Sequence, residues 1–80
     1  MRQKTIDQVK ADLAYNLRRI RLERGLAQER LALDAEVDRT MVSKIERAVT
    51  NPSLDVLLRL ANCLDVEISD FLKEKSNLLS

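Results

Sequence analysis

A run of hydrogen-bond donors lies between residues 39 and 47. Its members are Arg39, Thr40, Ser43, Lys44 and Arg47. Spacings of three and four residues would place them on one face of a helix, with Val42 and Ile45 facing inward on the other side. Arginine and lysine can bond to guanine O6 and N7, and threonine can contact a thymine methyl group. These residue types therefore indicate contact with the base edges of DNA, and we expect Arg39 to be the main guanine contact.

Each of these side chains also has a less specific alternative. Arg39 could instead form a salt bridge with a nearby carboxylate. The candidates are Asp34, Glu36 and Asp38. Lys44 could contact a phosphate rather than a base, and Ser43 could bond only to backbone or water. Arg47 could simply be a cation at the C-terminal end of its helix, where the helix dipole favours positive charge.

Two short helices would position these residues. Residues 28–47 have the sequence QERLALDAEVDRTMVSKIER. The apolar spacing predicts a helix from Gln28 to about Ala35, a tight joint at Glu36 and Val37, and a second helix from Asp38 to about Arg47, with Asp38 as its N-cap. Two short helices joined by a tight turn are the helix-turn-helix pattern, in which the second helix, here 39–47, can enter the major groove.

Three further helices complete the predicted fold. Thr5 would cap a first helix of about 19 residues that Gly25 closes, and its early turns could contact a partner subunit. Ser53 would cap a fourth helix, and a short fifth helix would run from Ile68 to about Glu74. The inward residues expected on the first and fourth helices are Ile6, Val9, Leu13, Leu17, Ile20, Leu54, Leu57, Leu58, Ala61 and Leu64. The sequence thus predicts one all-α domain over residues 1–80.

Composition limits the function. The chain has 80 residues, no histidine and one cysteine, which argues against a metal site, a disulfide framework or a cofactor. Cys63 could be a buried structural thiol or a redox or dimer link. No apolar stretch approaches the roughly 18 residues of a membrane span, and no signal peptide is evident, so we expect a cytoplasmic protein. Without a histidine, a Gly-rich phosphate loop or a carboxylate constellation, catalysis is not expected.

Charge is distributed unevenly along the chain. Residues 18–47 carry eight basic and six acidic side chains, whereas residues 48–80 carry three basic and five acidic ones. This weak polarity permits nucleic-acid binding without requiring it, and ordinary solvated helix faces would also explain it.

The stretch from Leu17 to Leu72 resembles the five-helix, helix-turn-helix domain of the phage lambda-type repressors and Cro, the XRE family. The matching marks are Arg21, Gly25, Gln28, Leu31-Ala32, Ser43, Ile45-Glu46, Asn51-Pro52-Ser53-Leu54, Leu60-Ala61 and Leu64. The run DRTMVSKIER is also similar to the controller proteins of restriction–modification systems. The resemblance implies a five-helix bundle that acts as a dimeric regulator, repressor or activator, on a palindromic operator.

The same resemblance implies roles for individual residues. Base edges would be contacted by Arg39, Thr40, Ser43 and Lys44. The DNA backbone would be contacted by Gln28, Arg47, Thr50 and Asn51. Arg21 and Glu46 would form a partly buried structural ion pair. The sequence departs from the family pattern at Ala27, where serine or threonine is common, and at Glu36, Ala48 and Asp65, where glycine is common. A non-glycine residue forced to positive φ costs on the order of 1 kcal/mol.

The dimer interface is expected in the C-terminal helices and tail, residues 53–80. The candidates are Ile68, Phe71, Leu72, Leu78 and Leu79. Ile68 and Phe71 could equally close the core of the monomer. No small-molecule ligand is expected. A second function remains open: an antitoxin-type module of the same fold that neutralises a partner toxin and regulates its own synthesis.

Overall fold

Five α-helices form the fold of residues 3–75, which are the residues that the computed structural model describes. The helices are α1 (Ile6–Glu23), α2 (Gln28–Ala35), α3 (Met41–Glu46), α4 (Leu54–Leu64) and α5 (Ile68–Phe71). The described range contains no strand, so the predicted all-α, five-helix class is confirmed. Within the same residues, no helix is long and apolar enough to cross a membrane.

The first helix begins and ends at the residues that its sequence indicates. Thr5 Oγ1 accepts a hydrogen bond from the Gln8 amide at 3.2 Å, and Gln8 Oε1 accepts one from the Thr5 amide at 2.8 Å. This reciprocal capping box satisfies two of the amides that a helix N-terminus leaves without partners. Gly25, at φ +69°, ends the helix in the left-handed region, as predicted.

The core receives side chains from every helix. The large apolar residues that are fully buried are Leu17, Leu31, Val42, Ile45, Leu60, Leu64 and Phe71. α1 packs against α3 and α5, while α2 packs against α3 and α4, so the helix-turn-helix is supported from behind on two sides. Cys63 lies half-buried against this core. Burial, and then the nearby Asp34 carboxylate, raise the pKa of its thiol, as expected for a structural cysteine.

Part of the predicted inward stripe was wrong. Leu54 and Leu58 on α4 are 75% and 48% exposed, and Ile6 on α1 is 55% exposed, whereas Leu60 is fully buried. The inward side of α4 is centred on Leu57 and Leu64, which places Leu54 and Leu58 on its flank. Spacings of three and four residues select both flanks of a helix, so the pattern alone does not show which flank a neighbouring helix covers.

Three non-glycine residues adopt the left-handed conformation, as predicted. Glu36, Ala48 and Asp65 have φ values of 58°, 59° and 58°, each just after a helix. The valine that follows each of them donates its amide to a carbonyl five residues earlier: Val37 to Ala32, Val49 to Lys44 and Val66 to Ala61, at 3.0 to 3.1 Å. This Schellman arrangement ends α2, α3 and α4 in the same way.

Two predicted helix ends were wrong. α3 begins at Met41 rather than Asp38, because the Asp38 carboxylate accepts the Thr40 amide and holds residues 38–40 in a turn. α5 ends at Phe71 rather than near Glu74. The Asn16 side-chain amide donates to the Phe71 and Lys73 carbonyls at 2.9 and 2.8 Å, and the Lys75 amide donates to Asp12, so these groups are not used for a further helical turn.

Candidate nucleic-acid interface

The four predicted base-contacting side chains lie together on the outer side of the helix-turn-helix. Ser43 and Lys44 project from α3, and Arg39 and Thr40 lie in the turn that leads into it. We call the surface formed by these four residues the recognition face. Directly behind it, Val42 and Ile45 are buried in the core, so the apolar side of α3 fixes the direction in which the recognition face points.

Arg39 is almost entirely exposed. Its guanidinium Nη2 lies 3.8 Å from Glu29 Oε1 on α2, a residue that the sequence did not single out, and both side chains are at least 80% exposed. An ion pair this open contributes about 0–1 kcal/mol, because water and salt screen it. Asp34, Glu36 and Asp38, the three acids considered from the sequence, do not form this ion pair with Arg39. Arg39 can therefore exchange this weak contact for one to DNA.

Asp38 and Thr40 form a closed hydrogen-bonded pair at the edge of the recognition face. Asp38 Oδ1 accepts the Thr40 hydroxyl at 2.6 Å and the Thr40 amide at 2.9 Å. The hydroxyl bond first, then the amide bond, lower the pKa of Asp38, so its carboxyl group is ionised at neutral pH. The spacing of Asp38 and Thr40 is the signal for this local bond, because aspartate often bonds to the backbone two residues on.

Ser43 and Arg47 are joined across one turn of α3. Arg47 Nε donates to Ser43 Oγ at 3.3 Å, and both side chains lie on the outer side of the domain. Arg47 retains its terminal NH2 groups for a phosphate oxygen. Thr50 and Asn51 follow in the loop before α4, where Thr50 is half-buried and Asn51 is exposed. The predicted backbone-contacting residues 47, 50 and 51 thus succeed one another at the C-terminal end of α3.

A buried ion pair connects the three helices behind the recognition face. Arg21 Nε and Nη2 donate to the two oxygens of Glu46 at 2.6 and 2.9 Å, and Nη1 donates to the Leu26 carbonyl at 2.7 Å. The two side chains are only 8% and 2% exposed. The bond to Glu46 raises the pKa of Arg21. This bidentate pair ties α1 to the end of α3.

Gln28 belongs to the same network. Its Nε2 donates to Glu46 Oε1 at 3.0 Å, so the residue expected to approach a phosphate is also bonded to the ion pair from α2. One N–H of its amide group is used in this bond, which leaves the second N–H for another acceptor. The network therefore fixes the side chain at the start of α2 relative to α3.

The predicted dimer contacts fall into three groups. Phe71 is fully buried and closes the core of the single chain, which is the alternative that the sequence left open for it, and it has no exposed surface there. Leu72 is 38% exposed and remains a candidate. Leu78 and Leu79 lie outside the described residues. The sequence interpretation missed Leu54 and Leu58, whose exposed side chains lie on α4, and Leu58 lines a cleft with Ile68 of α5.

Comparison with known proteins establishes the class to which this geometry belongs. A helix-turn-helix family model matches residues 17–71. The match covers more than half of the 80 residues, and the chain therefore belongs to the helix-turn-helix family. The matched segment contains α2, α3, the recognition face and the Arg21–Glu46 pair.

Individual relatives narrow the comparison. A hypothetical transcription factor from Neisseria meningitidis serogroup B is 41% identical over 58 residues, which are 72% of this chain and 55% of that protein, so the chain spans just over half of that relative's length. Control protein C.BamHI from Bacillus amyloliquefaciens is 39% identical over 57 residues, 70% of each chain. A crystal structure of a hypothetical transcription factor from Neisseria superposes with a TM-score of 0.84 at 33% identity, covering 99% of this chain and 91% of that one.

These comparisons confirm the predicted resemblance to the XRE family and, more narrowly, to restriction–modification controller proteins. The named relatives, a hypothetical transcription factor and a control protein, are regulatory proteins.

Proposed function

We propose that this chain is a transcription regulator that binds a palindromic operator in double-stranded DNA as a homodimer. The observation that carries the proposal is the recognition face: three exposed polar side chains and the half-buried Ser43, two of the four cationic, on a short helix and the turn before it, with the other side of that helix buried. A major groove about 12 Å wide admits a helix of this kind and presents the acceptors and donors that these side chains can bond.

Each residue of the face has a role that its chemistry supports. Arg39, free apart from its weak contact with Glu29, bonds to guanine O6 and N7. Thr40, Ser43 and Lys44 contact neighbouring base edges. Phosphate contacts fix the orientation of the domain on the duplex, and they come from Gln28, Arg47, Thr50 and Asn51.

The homodimer supplies the second half of the contacts. One six-residue helix reaches few base pairs, whereas two such helices about 34 Å apart contact successive turns on the same side of the duplex. The exposed apolar side chains Leu54, Leu58 and Leu72, from α4 and the end of α5, form the surface that a second copy would cover. A two-fold dimer on this surface requires a two-fold symmetric operator.

Selection of binding sites from a random duplex pool at about 150 mM salt tests this function. Salt must be fixed, because phosphate contacts make affinity steeply dependent on ionic strength. We expect an enriched, two-fold symmetric motif with half-sites about one helical turn apart. Weak binding without any enriched motif would contradict the proposal and would favour the antitoxin-type function, which copurification of a small protein partner would then test.

A further inference from the structure

The Asp38–Thr40 pair restricts what the Thr40 side chain can offer to DNA. A free threonine hydroxyl both donates and accepts hydrogen bonds, and it rotates to suit its partner. Here Thr40 Oγ1 lies 2.6 Å from Asp38 Oδ1, a carboxylate oxygen that carries no hydrogen. The hydroxyl must therefore be the donor. The short length of this hydrogen bond is typical of a hydroxyl that donates to an anionic oxygen, which is one of the stronger hydrogen bonds in proteins.

The same carboxylate oxygen also holds the Thr40 backbone. It accepts the Thr40 amide at 2.9 Å, and the Met41 amide donates to the Asp38 carbonyl at 2.9 Å. The Thr40 side chain and backbone are thus fixed by one residue, which leaves little freedom for the hydroxyl to rotate away. What remains available on Thr40 is the pair of oxygen lone pairs and the methyl group.

Base edges divide sharply by hydrogen-bonding polarity in the major groove. Adenine N6 and cytosine N4 donate, whereas guanine O6 and N7 and thymine O4 accept. A side chain that can only accept can bond to adenine or cytosine but not to the bonding groups of guanine or thymine. We propose that Asp38 is a positioning residue that makes Thr40 an acceptor, so that Thr40 selects adenine or cytosine at one position of each half-site. This inference rests on the proposed function, since it requires the recognition face to contact bases.

The neighbouring residues of the recognition face can all donate. Arg39 and Lys44 only donate. Ser43 Oγ accepts from Arg47 Nε at 3.3 Å, which leaves its hydroxyl hydrogen and one lone pair free. Thr40 is therefore the residue of the face whose donor is already used, and Asp38 is the residue responsible for that difference.

The experiment measures the affinity of the full chain for its selected operator and for duplexes with all four base pairs at each half-site position. Thr40→Val removes the hydroxyl and keeps the shape, and the position where it abolishes discrimination is the Thr40 position. Thr40→Ser is the matched control, because it keeps the hydroxyl and its bond to Asp38. Asp38→Ala frees the hydroxyl. Thermal melting of each variant shows whether it folds.

We expect wild type to prefer adenine or cytosine at the Thr40 position by about fivefold, the typical effect of one hydrogen bond. Thr40→Ser should keep this choice, and Asp38→Ala should admit guanine or thymine there. If wild type prefers guanine or thymine at that position, the inference is overturned and the proposed function is not. The same holds if folded Asp38→Ala keeps the wild-type base preference, or if Thr40→Ser loses it. If Asp38→Ala does not fold, the Thr40→Val and Thr40→Ser pair decides. Absence of any sequence preference in wild type would overturn the proposed function as well.

Discussion

At the scale of single residues, the recognition face combines exposed cations with carboxylates that moderate them. Glu29 lies 3.8 Å from Arg39, and Asp38 precedes Arg39 directly. Anionic side chains at a surface that approaches phosphates oppose non-specific binding, which depends on charge rather than on base sequence. Within a few residues, cations that raise affinity for DNA therefore lie beside carboxylates that favour selectivity.

Glu29→Gln tests that balance. Removing this charge frees Arg39 and lowers repulsion of the phosphates, so we expect affinity for random duplex to rise several-fold and affinity for the operator to rise less, which lowers selectivity. Fluorescence anisotropy at one salt concentration measures both. Glu23→Gln is the control. Glu23 pairs with Arg19 on α1, so this substitution removes the same charge away from the recognition face. Equal or lower affinity of the Glu29 variant for random duplex would contradict the expectation.

Glu46→Ala tests the ion pair behind the recognition face. The change leaves the buried Arg21 guanidinium without its carboxylate and removes the acceptor of Gln28, so the free energy of unfolding should fall by about 3–5 kcal/mol. DNA affinity should fall with it, because α3 loses its link to α1. Thermal and urea denaturation measure stability, and anisotropy measures binding. A variant that melts at the wild-type temperature and yet no longer binds DNA would show that Glu46 is not structural.

At the scale of the helices, the ends of α2, α3 and α4 share one geometry made from three different residues. Glu36, Ala48 and Asp65 all adopt φ near +58°, and aspartate tolerates this region best because its short side chain can bond locally. The family's glycine pattern predicts these three conformations from the sequence. The helix ends therefore retain their shape at some cost in stability.

Ala48→Gly should recover part of that cost. Relief of the left-handed strain, reduced by the greater entropy of glycine in the unfolded chain, should raise the free energy of unfolding by about 0.5–1 kcal/mol. Urea denaturation measures the change. Ala14→Gly, the same substitution within α1, should instead lower stability by roughly 1 kcal/mol. A loss of stability in Ala48→Gly would mean that residue 48 is not strained in the folded chain.

Local spacing predicted where each helix lies, but two ends depended on contacts that local spacing does not show. α5 stops because Asn16 and Asp12, 55 or more residues earlier, bond to the backbone between residues 71 and 75. The start of α3 was predicted too early because Asp38 was taken as a helix cap, whereas its carboxylate holds a turn before the helix. The structure nevertheless brings the residues of the recognition face together, because α3 is amphipathic whether it begins at Asp38 or at Met41.

At the scale of the whole molecule, apolar side chains of the C-terminal helices stay uncovered in the single chain. Leu54 and Leu58, one turn apart on α4, are exposed, and so is Leu72 after α5, whereas the preceding residue, Phe71, completes the core. Core residues could be predicted from helical periodicity, because each helix must bury one stripe. Which flank of a helix stays exposed could not be predicted, because an exposed and a buried leucine on adjacent turns have the same sequence signal.

Leu58→Glu tests whether this surface joins two copies. A charge placed in an apolar interface should convert the dimer to a monomer and lower operator affinity at least tenfold, with little change in the melting temperature of the monomer. Light scattering coupled to size exclusion gives the mass of the species. Leu33→Glu is the matched control, since Leu33 is an exposed leucine on α2, 68% exposed against 48% for Leu58. A Leu58→Glu chain that remains dimeric would place the interface elsewhere.

The most direct test of the whole account is operator binding by Arg39→Ala, compared with wild type on the selected operator and on duplexes substituted at each position. Arg19→Ala is the control, because it removes the same charge on the side of α1 that faces α5. We predict that Arg39→Ala loses its preference for guanine at one position in each half-site, by about tenfold, and keeps the other preferences. If Arg39→Ala weakens binding equally on every sequence, Arg39 contacts phosphate only, and the recognition face does not select guanine through it.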